Sequence, residues 1–281
     1  MREIQVDAVR DKIKELFLEA NYNISSDILS ALQKARDNET SPTGRSVLDM
    51  LLQNYEVASG EEIAICQDTG LAIIFMDIGQ EIQFVGGELD SAINEGVKQA
   101  YIDGYLRKSA VSDPVFDRKN TGTNTPAIIY ASIVPGDKLN LLVTPKGFGS
   151  ENMSALAMLK PADGVEGIKQ FIVETVRKAG PNPCPPTIVG VGIGATADKA
   201  MVIAKQATLR PINEHNPDER YAKLEKEALI AINALGIGPA GLGGNTTSLG
   251  VNVDFFPTHI AGMPVAVNIC CHAARHAKAT L

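Results

Sequence analysis

The chain has 281 residues, 44% of them hydrophobic and 21% charged. That balance lets it bury a core of its own and excludes a disordered chain or a disulfide-stapled peptide. Aromatic residues make up 5%, tryptophan is absent and the net charge is −7, so bases would find few stacking platforms and phosphate polymers would be repelled. Nucleic-acid binding is not expected, and an anionic substrate has to be met by a local cluster of cations.

Val6, Val9, Ile13, Leu16, Phe17 and Ala20 recur at helical spacing among charges. They predict an amphipathic helix over residues 1–20 without the apolar core of a signal peptide. A second helix starts at Ser25 and Ser26, and a third opens near Pro42 and Thr43 and runs through Val47, Leu48, Leu51 and Leu52, so the first 60 or so residues read as helical. Residues 63–66 and 71–78 read as strands separated by the turn Gln67-Asp68-Thr69-Gly70. A helix over 88–107, a polar stretch over 117–125, and strands over 127–134 and 139–144 joined by Pro135-Gly136-Asp137 follow. Ser150 reads as the N-cap of a helix through Ala155 and Leu159.

The second half alternates: helix 165–178, strand 187–193, helices 197–209 and 218–235, a glycine-rich loop over 236–250, and strands 251–256 and 265–269. The expected fold is mixed α/β (α+β), a helical N-terminal region followed by a mixed sheet packed with helices. It reads as one domain over 1–281, with a weak boundary near Gly180-Pro181. No span is long and apolar enough to cross a membrane. The expected address is cytoplasmic and reducing, where cysteines serve as ligands, catalysts or inert fillers rather than disulfides.

Cys66, Cys184, Cys270 and Cys271 stand at the edges of apolar runs beside turn residues. Their wide separation is not that of a compact zinc hook, so a shared metal site would have to be assembled by the fold. Buried inert cysteines are the competing reading. The string from Gly190 through Gly192 to Ala195 fits a loose dinucleotide fingerprint, but the prolines after Cys184 do not suit such a strand, and tight strand-to-helix packing is preferred. Lys146-Gly-Phe-Gly-Ser-Glu-Asn allows either a close backbone approach to a ligand or a plain helix cap. His259, His272 and His276 crowd the last stretch with Arg275 and Lys278, either as a solvated tail or as part of a site near the cysteines.

Together, Cys66-Gln-Asp-Thr-Gly, the Lys146 to Asn152 block, Cys184-Pro-Pro with the glycine strand, Gly238-Pro-Ala-Gly-Leu-Gly-Gly-Asn-Thr, and Cys271 with Arg275-His276 resemble the α subunit of class I iron-sulfur fumarate hydratases. The related L(+)-tartrate dehydratase α subunit shares the cysteine blocks. The resemblance covers nearly the whole chain and implies a hydro-lyase of the tricarboxylic acid cycle that interconverts fumarate and (S)-malate on a 4Fe-4S cluster. By that resemblance Cys66, Cys184 and Cys271 are the cluster ligands, with Cys271 preferred over Cys270 because it stands four residues before Arg275. Asp68 would orient substrate or exchange protons, and Gln67, Arg107, Gly149 and His259 would contact the dicarboxylate. The resemblance further implies a separate β subunit, an α2β2 assembly and little turnover by the α chain alone. L(+)-tartrate dehydratase α is the alternative of the same chemistry, and a non-enzymatic metal- or nucleotide-binding subunit is the alternative from another class.

Overall fold

The computed structural model describes residues 1–281. In chain order the first elements are β1 (Arg2–Gln5), α1 (Val6–Tyr22), α2 (Ser26–Asn38), α3 (Pro42–Glu61), β2 (Leu71–Gly79), β3 (Ile82–Val85), α4 (Leu89–Asp103), β4 (Ile128–Val134) and β5 (Leu139–Lys146). The short α5 (Phe148–Glu151), β6 (Ala155–Leu159), α6 (Gly164–Ala179), β7 (Thr187–Gly194), α7 (Ala197–Ala207), α8 (Glu219–Asn233), β8 (Ser248–Phe256), β9 (Met263–Cys270) and β10 (Ala277–Thr280) complete it. The fold is mixed α/β, as the alternation predicts. No helix is long and apolar enough to cross a membrane.

The chain forms two compact units. The first comprises residues 1–24, 55–148 and 275–281. Its four-stranded sheet has the order β10-β5-β2-β4, with β2 parallel to β4 and antiparallel to β5. The predicted α1 stripe buries Val9, Ile13, Leu16, Phe17 and Ala20 with Ile93, Val97, Ala100 and Tyr101 of α4 against Ile74, Met76, Leu141 and Val143 of the sheet. α1 and α4 approach so closely that a Cβ on Gly96 would lie 2.5 Å from the Arg10 carbonyl oxygen.

The second unit comprises residues 25–54 and 149–274, so Gly180-Pro181 falls inside it. Its sheet has the order β6-β9-β7-β8. Val189, Val191 and Ile193 face a core with Ile168, Ile172 and Val176 of α6 and Leu224, Ala228 and Ile232 of α8. Gly190 and Gly192 point the other way, because side chains alternate along a strand. A Cβ on either would lie 2.1 Å from a carbonyl of α7, Ala204 and Ala200 respectively. These glycines therefore serve helix packing.

Several elements differ from the sequence reading. Residues 63–66 form a loop rather than a strand, with the Ile65 amide donating to the Asn21 carbonyl at 2.9 Å. The helix expected through Ala155 and Leu159 is strand β6, fully paired with β9 from Ala155↔Val267 to Leu159↔Met263. A five-residue apolar run does not by itself separate the two periods, and the available ladder decides it. α4 stops at Asp103 rather than 107, where the chain turns through Gly104 and Tyr105. The short β1, β3 and β10 were not read from the sequence. Arg2–Gln5 and Ala277–Thr280 have no apolar run to announce them, and only pairing with β3 and β5 makes them strands.

Candidate active site

In the first unit the Cys66–Gly70 segment lies between α3 and β2 and is held by buried polar groups. The Tyr101 hydroxyl donates to the Thr69 carbonyl at 2.6 Å, and Asn124 Nδ2 donates to the Gly70 carbonyl at 3.0 Å. Arg275, 2% exposed, donates through Nη2 to the Asp68 carbonyl at 2.6 Å and through Nη1 to Asn21 Oδ1 at 3.3 Å. Burial pushes the Tyr101 phenol well above its usual range, so it stays a donor. A Cβ on Gly70, where φ is +70°, would meet the Lys146 backbone at 2.6 Å, which leaves glycine as the residue that fits.

This network brings four of the expected site residues together. Cys66 is partly exposed and its Sγ lies 3.2 Å from Gln67 Oε1, while Gln67 itself is exposed. Asp68 accepts the Gly70 amide on Oδ1 at 3.0 Å and the Phe148 amide on Oδ2 at 2.8 Å. Its carboxylate thus shapes the turn and ties it to the end of β5. Arg107 joins through its carbonyl, which accepts the Thr69 hydroxyl at 2.7 Å, and its side chain is exposed.

In the second unit, Cys184 and Cys271 stand at the same end of the sheet. Cys184 precedes β7 and Cys271 follows β9, and these strands are antiparallel with Ile188 opposite Cys270. The Cys184 carbonyl accepts the His272 amide at 3.3 Å. Cys184 is exposed and left-handed at φ +53°, its amide held by the Pro181 carbonyl at 3.0 Å. The glycine loop packs on it: Ala240 donates to the Pro185 carbonyl at 2.8 Å, and a Cβ on Gly241 would lie 2.3 Å from Pro181 Cβ. Gly149 belongs here too, 3.5 Å at its Cβ position from the Asn182 carbonyl. Cys270, by contrast, is buried in β9.

His259 does not join them. It lies in the exposed turn between β8 and β9, where its Nδ1 accepts the Ala261 amide at 3.1 Å. That turn borders the end of β7, since Thr258 Oγ1 donates to the Ala195 carbonyl at 3.1 Å. The length of β7, about 25 Å at roughly 3.3 Å per residue, separates it from Cys184 and Cys271.

The sequence reading missed two buried supports. Arg275 enters the sequence reading in a motif and in the charged last stretch, and neither gives a sign of its burial. Glu39, 4% exposed, accepts the amides of Thr40 and Ser41, each at 3.0 Å, and of Asn245 at 2.9 Å, fixing the end of the glycine loop from the α2–α3 turn. A glutamate between two helices looks solvated in sequence.

None of the four cysteines is in a disulfide. Cys66, Cys184 and Cys271 present thiols that are at least partly accessible, as the donor set of an iron-sulfur centre requires, while Cys270 does not. A family model described as fumarate hydratase (fumerase) matches residues 10–280. The chain belongs to the fumarate hydratase family and is a hydro-lyase. It is 42% identical over 273 residues, 96% of either chain, to a Methanocaldococcus jannaschii protein provisionally named L(+)-tartrate dehydratase subunit alpha. It is 34% identical over 257 residues to the L(+)-tartrate dehydratase α subunits of Escherichia coli and Shigella sonnei, covering 91% of this chain and 84% of theirs.

Proposed function

We propose that the chain is the cluster-bearing α subunit of a cytoplasmic hydro-lyase that interconverts fumarate and (S)-malate and works with a β subunit, as α2β2. The observation that supports this best is the selective accessibility of Cys66, Cys184 and Cys271, each in a loop braced by hydrogen bonds, against the burial of Cys270. Bound by those three thiolates, a 4Fe-4S cluster would supply a Lewis-acidic iron for loss of the hydroxyl. The exposed guanidinium of Arg107 suits a substrate carboxylate, which its paired N–H groups can grip in two-pronged fashion. Gln67, next to the ligand Cys66, offers an amide to the substrate, and Gly149 a backbone N–H. Asp68 Oδ1 and Oδ2 each accept one backbone amide and retain a lone pair, enough to orient the substrate or move the proton at C3.

A substrate contact from His259 has to be made in the site of a second α chain, because β7 separates it from the cysteines of its own unit. A second reading, L-tartrate as substrate, is favoured by the names of the relatives. (S)-Malate and L-tartrate carry the same two carboxylates, and tartrate adds one hydroxyl.

The test is anaerobic co-expression of the α and β chains with assays on fumarate and L-tartrate. Fumarate hydration is expected, with loss of cluster absorption in Cys66→Ser, Cys184→Ser or Cys271→Ser and its retention in Cys270→Ser. Mixing inactive Cys184→Ser and His259→Ala chains should restore part of the activity. Normal cluster content in all three ligand variants would refute the assignment, exclusive turnover of L-tartrate would replace the substrate, and failed complementation would remove the role of His259 in a second chain.

A further inference from the structure

The most exposed aromatic side chains of the first unit lie on a segment whose base is tied to Cys66–Gly70. Between α4 and β4, Tyr105 is 93%, Phe116 86% and Val115 67% exposed. They belong to a built arm rather than a slack loop. Val111 bridges Asn120, Ser112 donates to the Lys119 carbonyl at 2.8 Å, and Thr121 to the Ala110 carbonyl at 3.0 Å. At its tip Asp113 Oδ1 accepts the amides of Val115 and Phe116, and Arg118 Nη1 donates to the Pro114 carbonyl at 2.6 Å. The base is tied to the site: Asn124 Oδ1 accepts the amides of Ser109 and Ala110 while its Nδ2 holds Gly70.

Two further features indicate what the arm is for. Tyr105 adopts φ +52°, a left-handed conformation that glycine or asparagine takes more readily, yet its ring is turned almost wholly into solvent. That conformation closes the end of α4, the Tyr105 and Leu106 amides donating to the Ile102 and Tyr101 carbonyls at 3.2 and 3.1 Å, so the exposed ring is carried on a fixed helix end. Residues 105–121 also carry four cations, Arg107, Lys108, Arg118 and Lys119, against the carboxylates of Asp113 and Asp117, in a chain whose net charge is −7. The arm is a cationic, aromatic projection from an acidic molecule.

We propose that this arm is the docking surface for the β subunit, with Tyr105, Val115 and Phe116 entering an apolar recess rimmed by carboxylates. The proposal rests on the reading above that the chain works with a second subunit. The β subunit is the favoured occupant because the arm springs from Arg107 and braces the Cys66 segment, the edge that a partner completing the site has to meet. Ordered aromatic anchors ringed by charge are what protein partners bind most strongly.

The test compares α/β association, by sedimentation or titration, for the unaltered chain, the double variant Val115→Ser/Phe116→Ser, Tyr105→Gly, and Ile230→Ser on α8, a position 72% exposed outside the arm. The double variant is expected to raise Kd by at least about 30-fold and Tyr105→Gly by about 10-fold, the range for truncated aromatic anchors, with Ile230→Ser unchanged. Tyr105→Gly relieves the backbone, so the melting temperature of the isolated α chain should hold or rise, separating lost docking from lost folding. Unchanged α/β affinity in both arm variants, or weakened α–α association with α/β intact, would overturn the proposal. Failure of the unaltered α and β chains to associate at all would instead refute the two-subunit reading.

Discussion

The two cysteine-bearing regions are held in different ways. In the first unit, the Cys66 segment hangs from side chains that reach in from distant parts of the chain: Tyr101 from α4, Asn124 from the loop before β4, and Arg275 from the C-terminus. In the second unit, the Cys184 segment is fixed by backbone, through prolines, a left-handed cysteine, and glycines that let neighbouring chain come close. Side-chain support is removable one group at a time. Backbone support fails when a side chain is added.

Three substitutions sharpen that contrast. Arg275→Ala should have the largest effect, about 3 kcal/mol of lost stability, because the Asp68 carbonyl and Asn21 Oδ1 lose their buried charged donor. Urea unfolding of the α chain measures it, and a midpoint equal to that of the unaltered chain would show that Arg275 is not a support. In the second unit, Gly192→Ala should cost about 2 kcal/mol by the opposite route, since its Cβ would fall 2.1 Å from the Ala200 carbonyl and push α7 off the sheet. A neutral result there would mean that the α7 packing adjusts freely.

Tyr101→Phe should have the smallest effect near neutral pH, about 1 kcal/mol from one lost buried hydrogen bond. It carries a pH signature as well. Burial raises the phenol in the fold above its unfolded value of about 10, so its contribution is complete below that pH and is lost as pH climbs beyond it. Denaturation followed from pH 9 to 11 should therefore fall less steeply in Tyr101→Phe than in the unaltered chain, and parallel curves would contradict the assignment.

Much of this organisation is legible in the sequence where one period dominates. The stripe of α1 and the apolar run of β7 announce themselves, and the glycines of β7 are read correctly as packing residues because Cys-Pro-Pro precedes them. Legibility ends where an element depends on a distant partner. Ala155–Leu159 is apolar enough for either state and becomes a strand because β9 offers a ladder. Ile63 to Cys66 looks like a strand and becomes a strapped loop through Asn21 and its neighbours. Of the candidate site residues, the motif blocks bring forward Cys66, Gln67, Asp68, Cys184 and Cys271; they contain Arg275 without announcing its burial, and they do not contain Glu39.

The sequence by itself determined the family and the fold class and brought forward the candidate site residues, because those follow from local period and from contiguous motifs. The tertiary structure alone decided which cysteine is buried, how Arg275 and Glu39 serve as internal supports, and that His259 stands at the far end of the sheet from Cys184 and Cys271. Burial and hydrogen-bond partnership are properties of contacts between residues far apart along the chain, and no window of neighbouring residues contains them.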